Sequence, residues 1–174
     1  AFAFFCRQSN LKKILSEVNC TNMRIGWGCI LHIPPSNVPI NAMFSMLMGL
    51  LSGNSNIVRL PSSNFPEVRL VIDVIIDLLE RDEFKKLRDR LYFVKSSRSS
   101  EALVRLISFV DGVLVWGGDV TAEIFRKFPK KNRAVEIYFT DRSSSAVLSC
   151  LELENLNMKE LNELFRKFYN DTLL

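Results

Sequence analysis

Two polar residues stand where short apolar runs of the sequence end, and their side chains suit chemistry on a bound ligand. Asn37 lies within Pro35-Ser-Asn-Val-Pro39, directly after the apolar residues 29–33, and Arg59 stands near the end of the next run, 56–60. An amide N–H can donate a hydrogen bond to an oxyanion that develops on a carbonyl under attack, and a guanidinium can grip ribose hydroxyls or a phosphate. We expect both residues at the carboxyl ends of parallel strands, sharing one cleft.

Each residue also has a structural interpretation that the sequence leaves open. Asn37 can be the N-cap of a helix over residues 38–52, a role worth about 1 kcal/mol. Arg59 can extend to the rim of the sheet, because an unpaired buried cation is costly. Pro61 and Ser62 follow directly and belong to the same candidate site, where the serine hydroxyl would add a donor.

A glycine pair, Gly117-Gly118, follows the apolar residues 113–116 and precedes a predicted helix, so the backbone can approach a ligand closely there. The same pair can serve only as a turn. Asp119 can cap the following helix and would repel a phosphate at its N–H groups. The dinucleotide fingerprint G-x-G-x-x-G is absent, which argues against an ordinary Rossmann site. The polar residues 141–145 are either a turn or a cleft wall opposite the glycines.

Histidine and cysteine give little support for a metal or nucleophile site. His32, the single histidine, lies inside an apolar run, which favours a core residue over a catalytic base. Cys6, Cys20, Cys29 and Cys150 show no C-x-x-C spacing, so we expect no metal site. Cys29 and Cys150 lie in runs that predict buried strands, and reduced core thiols suit a cytoplasmic protein.

Composition narrows the classes of function. The chain has 174 residues, 48% of them hydrophobic, which is enough for a substantial core. The net charge of +4 comes from a mixed surface without a basic block, so nucleic-acid binding is not predicted. We find no apolar run approaching the ~18 residues of a membrane span.

Short β-rich runs alternate with helical patterns along most of the chain. We predict strands at residues 29–33, 56–60, 91–94, 112–116 and 134–138, with helices at 38–52, from Pro66, at 99–109 and at 120–128. Residues 145–150 form a further apolar run. The alternation predicts an α/β fold with a mostly parallel open sheet and helices on both faces.

Three segments follow from this pattern. Residues 1–24 are an N-terminal helical segment, residues 25–155 are the α/β domain, and residues 156–174 are a helix leading elsewhere. In the last segment Asn157 and Glu160 have the spacing of a capping box.

Four motifs together resemble the LuxC-type acyl-CoA reductases, a branch of the aldehyde dehydrogenase superfamily. They are Pro35-Ser-Asn-Val-Pro39, Gly53-Asn-Ser-Asn-Ile-Val-Arg-Leu-Pro61, Val115-Trp-Gly-Gly118 and Asp141-Arg-Ser-Ser-Ser-Ala-Val-Leu148. The similarity runs over about residues 26–148. It implies an aldehyde-dehydrogenase-like nucleotide-binding domain.

The resemblance also implies an activity and a set of site residues. The activity is NADPH-dependent reduction of a long-chain fatty acyl-CoA, or acyl-protein, to the aldehyde by way of a cysteine thioester. Asn37 would stabilise the oxyanion. Arg59, with Pro61 and Ser62, would contact the adenosine ribose or its phosphate, while Gly117 and Gly118 would form the turn beside the coenzyme. A fatty-acid-activating synthetase partner, a homo-oligomer and a cytoplasmic location are further implications.

Two departures from the family pattern qualify this expectation. No cysteine of the chain matches the nucleophile, and Glu136 is offset from the position of the superfamily's general-base glutamate. We therefore expect the cofactor-binding part of an acyl-CoA reductase, without the nucleophile. The alternatives are a non-catalytic nucleotide-binding or partner-docking α/β module and an acyl-phosphate reductase of the same superfamily.

Overall fold

The described part of the chain forms a five-stranded parallel sheet flanked by helices. A computed structural model describes residues 2–18, 25–35, 37–38, 40–60, 63, 65–97, 99–141 and 145–173. Within these residues the strands are β1 Cys29–Ile33, β2 Ser55–Leu60, β3 Leu91–Lys95, β4 Gly112–Trp116 and β5 Val135–Phe139. All four neighbouring pairs are parallel, in the order β3-β2-β1-β4-β5. The predicted fold class is confirmed.

Helices connect the strands as the sequence pattern predicts. The helices are α1 Phe2–Phe5, α2 Gln8–Val18, α3 Asn41–Leu51, α4 Pro66–Leu79, α5 Lys85–Arg88, α6 Glu101–Phe109, α7 Asp119–Arg126, α8 Cys150–Glu154 and α9 Met158–Leu173. Pro66 occupies the first turn of α4, where its missing N–H has no intrahelical partner. Gly53 follows α3 at φ +79°, a conformation that glycine adopts without steric cost.

Helices of the described residues cover both faces of the sheet. On the first face, which we call the α3/α4 face, Met43, Met46 and Ile72 pack against Val58 and Leu91. On the opposite α6/α7 face the buried cluster consists of Leu31, Ile33, Leu103, Ile107, Val110, Val113, Val115 and Phe125. The connections therefore change face between β1 and β4, and the carboxyl ends of these two strands form the topological switch point.

The run at 145–150 is not a strand, which corrects our prediction. Residues 145–149 have no regular structure, and α8 begins at Cys150. The side chain of Ser149 accepts a hydrogen bond from the Glu152 N–H at 3.4 Å, so a helix cap organises this segment. Cys150 is exposed, and the prediction of a buried strand thiol is wrong.

Residues 142–174 form a compact unit of their own, separate from residues 1–141. The capping box predicted for its last helix is confirmed. Asn157 N–H donates to Glu160 Oε2 and Glu160 N–H donates to Asn157 Oδ1, both at 3.0 Å. The segment limits predicted at residues 24 and 155 stay predictions.

Candidate functional site

Asn37 lies in the turn after β1, at the switch point, and its side chain is exposed. It does not cap α3. Ile40 is the N-cap of that helix, which begins at Asn41, and no side chain caps it. The expected helix start at residue 38 was three residues early, and Pro39 lies outside the described residues. Since α3 does not use the Asn37 amide as a cap, a role of that amide toward a ligand stays a prediction.

Arg59 is buried, with 4% of its surface exposed, which excludes the interpretation that it extends to the solvent rim. Its Nε and Nη2 donate to the carbonyl oxygen of Ser96 at 3.0 and 2.7 Å. Ser96 directly follows β3, so the guanidinium ties β2 to the end of the neighbouring strand. Among the described residues, the Ser96 hydroxyl is a buried polar group without a hydrogen-bond partner. Direct contact of Arg59 with a coenzyme stays a prediction.

The glycine pair lies at the carboxyl end of β4. The atoms that pack closely against these glycines belong to other side chains of the protein. A Cβ on Gly118 would lie 2.9 Å from Asp141 Oδ2, and one on Gly117 would lie 3.1 Å from the Thr121 side chain. Gly118 is the N-cap of α7, and Asp119 N–H donates to Asp141 Oδ2 at 3.3 Å. A carboxylate of the chain, and not the side chain of Asp119, therefore faces this helix end. Coenzyme contact by Gly117 and Gly118 stays a prediction.

Two further predicted site residues, Pro61 and Ser62, lie outside the described residues, as do Cys20 and residues 142–144 of the polar segment 141–145. The chain resumes at Ser63, which is exposed. Ser63 lines a cavity on the α3/α4 face.

That cavity, which we call the edge cavity, has a volume of about 290 Å³ and lies at the carboxyl ends of β2 and β3. It is lined by Leu60, Ser63, Phe65, Pro66, Val68, Arg69, Ile72 and Lys95. Its walls are mainly apolar, and its charged groups are both cations. Asn37 and Arg59 do not line it, so the expected shared cleft does not coincide with this cavity.

A second cavity of about 650 Å³ lies on the α3/α4 face near the amino ends of the strands. Residues of α2, α3 and β1 contribute to it, together with Leu114 and Ile137. Asn37 and Arg59 do not line this cavity either. It includes one wall residue of chemical interest, His32.

His32 is fully buried in a chain of hydrogen bonds that fixes its tautomer. Its Nε2 lies 2.8 Å from Asn56 Oδ1, and the Asn56 amide donates to the Asn54 carbonyl oxygen at 3.0 Å. Since that amide oxygen can only accept, Nε2 carries the proton. Nδ1 then accepts from the Ser45 hydroxyl at 2.7 Å, and Ser45 Oγ accepts from Trp116 Nε1 at 3.3 Å.

This network satisfies both nitrogens of His32 without a catalytic partner. Burial lowers the pKa of His32 below its usual value, which keeps the ring neutral. The prediction of a core histidine is confirmed. Gly49 of α3 allows the network, because a Cβ there would overlap Asn56 Oδ1. Sequence reasoning missed the network, although Ser45 and Asn56 are conspicuous as polar residues within apolar runs.

Neither Cys29 nor Cys6 has the character of a reactive nucleophile. Cys29 begins β1 and so lies at the opposite end of the strand from Asn37. It is half-buried, and burial, together with the Asp111 carboxylate, raises the pKa of its thiol. Burial also raises the pKa of Cys6. Thiols with raised pKa values are poor nucleophiles at neutral pH.

Glu136 is occupied by structural contacts. Its Oε2 accepts a hydrogen bond from the Tyr138 hydroxyl and lies 3.2 Å from Lys130 Nζ. Burial and this carboxylate raise the pKa of Tyr138. The glutamate therefore anchors the edge strand β5 to the Lys130 segment, which agrees with its offset from the general-base position.

The sheet order and the helical layers define a doubly wound α/β domain, and solved aldehyde dehydrogenase structures share its fold. A Burkholderia cenocepacia protein assigned as an aldehyde dehydrogenase is similar, with TM-score 0.55 and 20% identity over 68% of this chain and 24% of that one. Proline utilization A is similar with TM-score 0.51 and 20% identity, over 66% of this chain and 12% of that one. These likenesses establish the fold alone.

The family follows from sequence comparison. The family model for acyl-CoA reductase (LuxC) matches residues 7–165, and the chain belongs to this family. The long-chain acyl-protein thioester reductase of Vibrio harveyi is 27% identical over 127 residues, which cover 65% of this chain and 26% of that relative. The chain thus spans about a quarter of the length of the relative it matches. Among the described residues, no helix is long and apolar enough to cross a membrane.

Proposed function

We propose that this chain is the coenzyme-binding part of an NADPH-dependent reductase that converts long-chain acyl thioesters, acyl-CoA or acyl-protein, to aldehydes. Membership of the acyl-CoA reductase family and the name of the Vibrio harveyi relative support the acyl substrate. The observation that carries the proposal is the edge cavity, which combines apolar walls with two cations at the carboxyl ends of parallel strands.

The edge cavity fits one part of a dinucleotide. Its volume of about 290 Å³ lies near the lower end of the roughly 300–1,000 Å³ typical of small-molecule sites. Apolar walls suit the adenine ring, and cations at the rim suit the phosphates attached to the ribose. The adenosine end of the coenzyme is the part with this combination of groups.

When bound, the coenzyme supplies a hydride to the acyl carbon. The remaining chemistry that we assign to this chain is electrostatic. Asn37, exposed at the switch point, donates its amide N–H to the oxygen on which negative charge develops. Arg59 orders the end of β3 through Ser96, and Pro61, Ser62, Gly117 and Gly118 complete the coenzyme edge in this proposal. The thioester-forming cysteine belongs to a further part of the enzyme.

Binding and turnover test the proposal separately. We expect weak, saturable binding of NADPH, followed by the fluorescence of the coenzyme, and no aldehyde from long-chain acyl-CoA with NADPH. Absence of NADPH binding would contradict the coenzyme role. Robust aldehyde formation would contradict the assignment of the nucleophile to another part, because a cysteine of this chain would then have to act.

We further propose that the protein forms a homo-oligomer in the cytoplasm. A fatty-acid-activating synthetase is its proposed partner. Exposed apolar side chains support an association surface, since Ile25 is 85% and Trp27 60% exposed. Light scattering during size-exclusion chromatography measures the oligomeric state, and a strictly monomeric protein at high concentration would contradict the homo-oligomer.

A further inference from the structure

The second cavity, near the amino ends of the strands, differs from the edge cavity in size and in charge. Its volume of about 650 Å³ is more than twice that of the edge cavity and lies within the roughly 300–1,000 Å³ typical of small-molecule sites. None of its described lining residues carries a charged side chain. Its apolar walls come from α2, α3 and three strands, and they include Ile14, Leu15, Ile30, Leu51, Leu114 and Ile137. The cavity therefore suits an uncharged, apolar group.

Polar side chains of this cavity already bond within the protein. Both ring nitrogens of His32 belong to the buried network described above. Ser52 Oγ donates to the Met48 carbonyl oxygen at 2.8 Å, and Asn54 Oδ1 accepts from the Trp27 main-chain N–H at 2.6 Å. With these atoms engaged, affinity for a ligand comes from the burial of apolar surface.

An apolar surface joins the second cavity to the carboxyl ends of the strands. Leu114 and Trp116, two residues apart in β4, share one face of the sheet, and their register partners in β5 are Ile137 and Phe139. The rings of Trp116 and Phe139 stack with 3.9 Å between their centroids. Leu114 and Ile137 line the cavity, whereas Trp116 and Phe139 end their strands. The surface thus leads from the cavity toward the switch point, where Asn37 lies.

The length of α3 gives the scale of this path. The helix begins at Asn41, shortly after Asn37, and ends at Leu51, which lines the second cavity. Its 11 residues span about 16 Å along the helix axis. A long-chain acyl group in its extended form is of comparable length. An acyl chain whose carbonyl carbon lies at Asn37 therefore reaches the cavity with its methyl end.

We propose that the second cavity binds the methyl end of the hydrocarbon chain of a long-chain acyl group, and that Trp116 and Phe139 contact the part of the chain nearer the reacting carbonyl. This inference rests on the proposed function for the identity of the ligand. The same chain is present in the acyl thioester and in the aldehyde. The site therefore lies on the side of the switch point away from the edge cavity, which is lined by cations.

Alkyl probes of increasing length test this site without turnover. We expect calorimetric titration with 1-octanol, 1-decanol and 1-dodecanol to show an affinity that rises about fourfold for each added methylene, because each one buries a similar apolar area. The orientation of the chain is tested with dodecanoate and dodecanedioate, which differ in a carboxylate at the far end. The diacid should bind about tenfold more weakly or worse, because its second carboxylate enters a cavity without a charged partner.

Two variants of the cavity wall and one control locate the bound chain. Ile137→Trp fills part of the cavity and should weaken 1-dodecanol about tenfold or more while changing 1-octanol less than about twofold, since the shorter chain does not need the filled space. Ile76→Trp makes the same exchange on α4, at a residue that lines neither cavity, and should change neither affinity. Met48→Lys places a cation in a partly exposed wall position and should reverse the preference between dodecanoate and dodecanedioate.

Tetradecanal and tetradecanoyl-CoA separate the product from the substrate as the source of the chain. Weaker binding of both to Ile137→Trp would show that the cavity serves both, and weaker binding of one would assign the cavity to that one. Unchanged binding of both would overturn the inference.

The outcomes also distinguish this inference from the function on which it rests. If the chain binds NADPH but its affinity for the alcohols does not rise with their length, the cavity assignment alone is wrong. The same conclusion follows if Ile137→Trp and Ile76→Trp weaken 1-dodecanol equally. If the alcohols bind with the expected dependence on length and NADPH does not bind, the coenzyme role fails and the cavity assignment stands.

Discussion

Arg59 of β2 and Ser96, the residue after β3, are joined by two hydrogen bonds from one guanidinium to one carbonyl oxygen, at 3.0 and 2.7 Å. The contact spans 37 positions of sequence, and Arg59 itself is buried. A charged donor that is buried in this way contributes more than an exposed one, because its loss leaves the carbonyl oxygen without that partner. We therefore infer that this contact stabilises the carboxyl edge of the sheet.

Arg59→Ala should lower the free energy of unfolding by about 2–4 kcal/mol, through the lost charged hydrogen bonds and the lost packing of the side chain. Urea denaturation measures this change. The matched control is Arg88→Ala, because Arg88 also donates to main-chain carbonyl oxygens, those of Leu79 and Glu80, but is exposed. We expect less than about 1 kcal/mol for the control. Equal losses of unfolding free energy in the two variants would contradict the stabilising role of the Arg59–Ser96 contact.

How far the sequence predicts this fold can be judged from particular elements. The strands are predictable because each is a short apolar run between turn residues, and β4, at Gly112–Trp116, has the expected limits. Residues 145–150 were mistaken for a strand because their apolar character outweighed the cap signal of Ser149 and Glu152. A capping pattern that begins a helix is local information, and it was present in the sequence.

The candidate site was less predictable for a physical reason. The acceptor of Arg59 is a main-chain carbonyl oxygen, which every residue possesses, so no side-chain pattern records the pairing. The face to which Arg59 projects depends on the strand register, and a shift of one residue would reverse it. Lys95 was overlooked because an exposed lysine after an apolar run is common, and only the packing of α4 turns its surroundings into a cavity.

Asn37→Ala should leave the stability of the protein nearly unchanged, because Asn37 does not cap α3. The control is Ser100→Ala, which removes a cap in which Ser100 Oγ accepts from the Leu103 N–H at 3.2 Å. We expect a loss of about 1 kcal/mol for the control and less than about 0.5 kcal/mol for Asn37→Ala in urea denaturation. A loss of about 1 kcal/mol in Asn37→Ala would show that its side chain has a structural role after all.

Ser45→Ala should be costly although it removes a single oxygen atom. His32 Nδ1 and Trp116 Nε1 both bond to Ser45 Oγ, so the change deprives two ring nitrogens of their partner. We expect a loss of about 1–3 kcal/mol in the free energy of unfolding, since unpaired buried polar groups pay their full desolvation cost. Ser108→Ala, at an exposed helix position where the hydroxyl donates only to the Arg105 carbonyl oxygen, is the control. A loss of unfolding free energy no larger than that of Ser108→Ala would contradict the role of Ser45 in the buried hydrogen-bond network.

The pH dependence of stability should report the protonation of His32, the single histidine of the chain. Its pKa is lowered in the folded protein, chiefly by burial, so the unfolded chain binds a proton more readily. Stability is then complete above the unfolded pKa of about 6.5 and falls below it, by up to about 1.4 kcal/mol per pH unit. Urea denaturation at about pH 7.5 and 5.5 measures the loss in the wild-type protein and in His32→Gln. His32→Gln should be less stable than the wild-type protein at both pH values. Its free energy of unfolding should fall less between the two pH values, because the other titrating groups contribute equally in the two proteins. An identical pH dependence in both would mean that His32 is not held neutral by its buried hydrogen-bond chain.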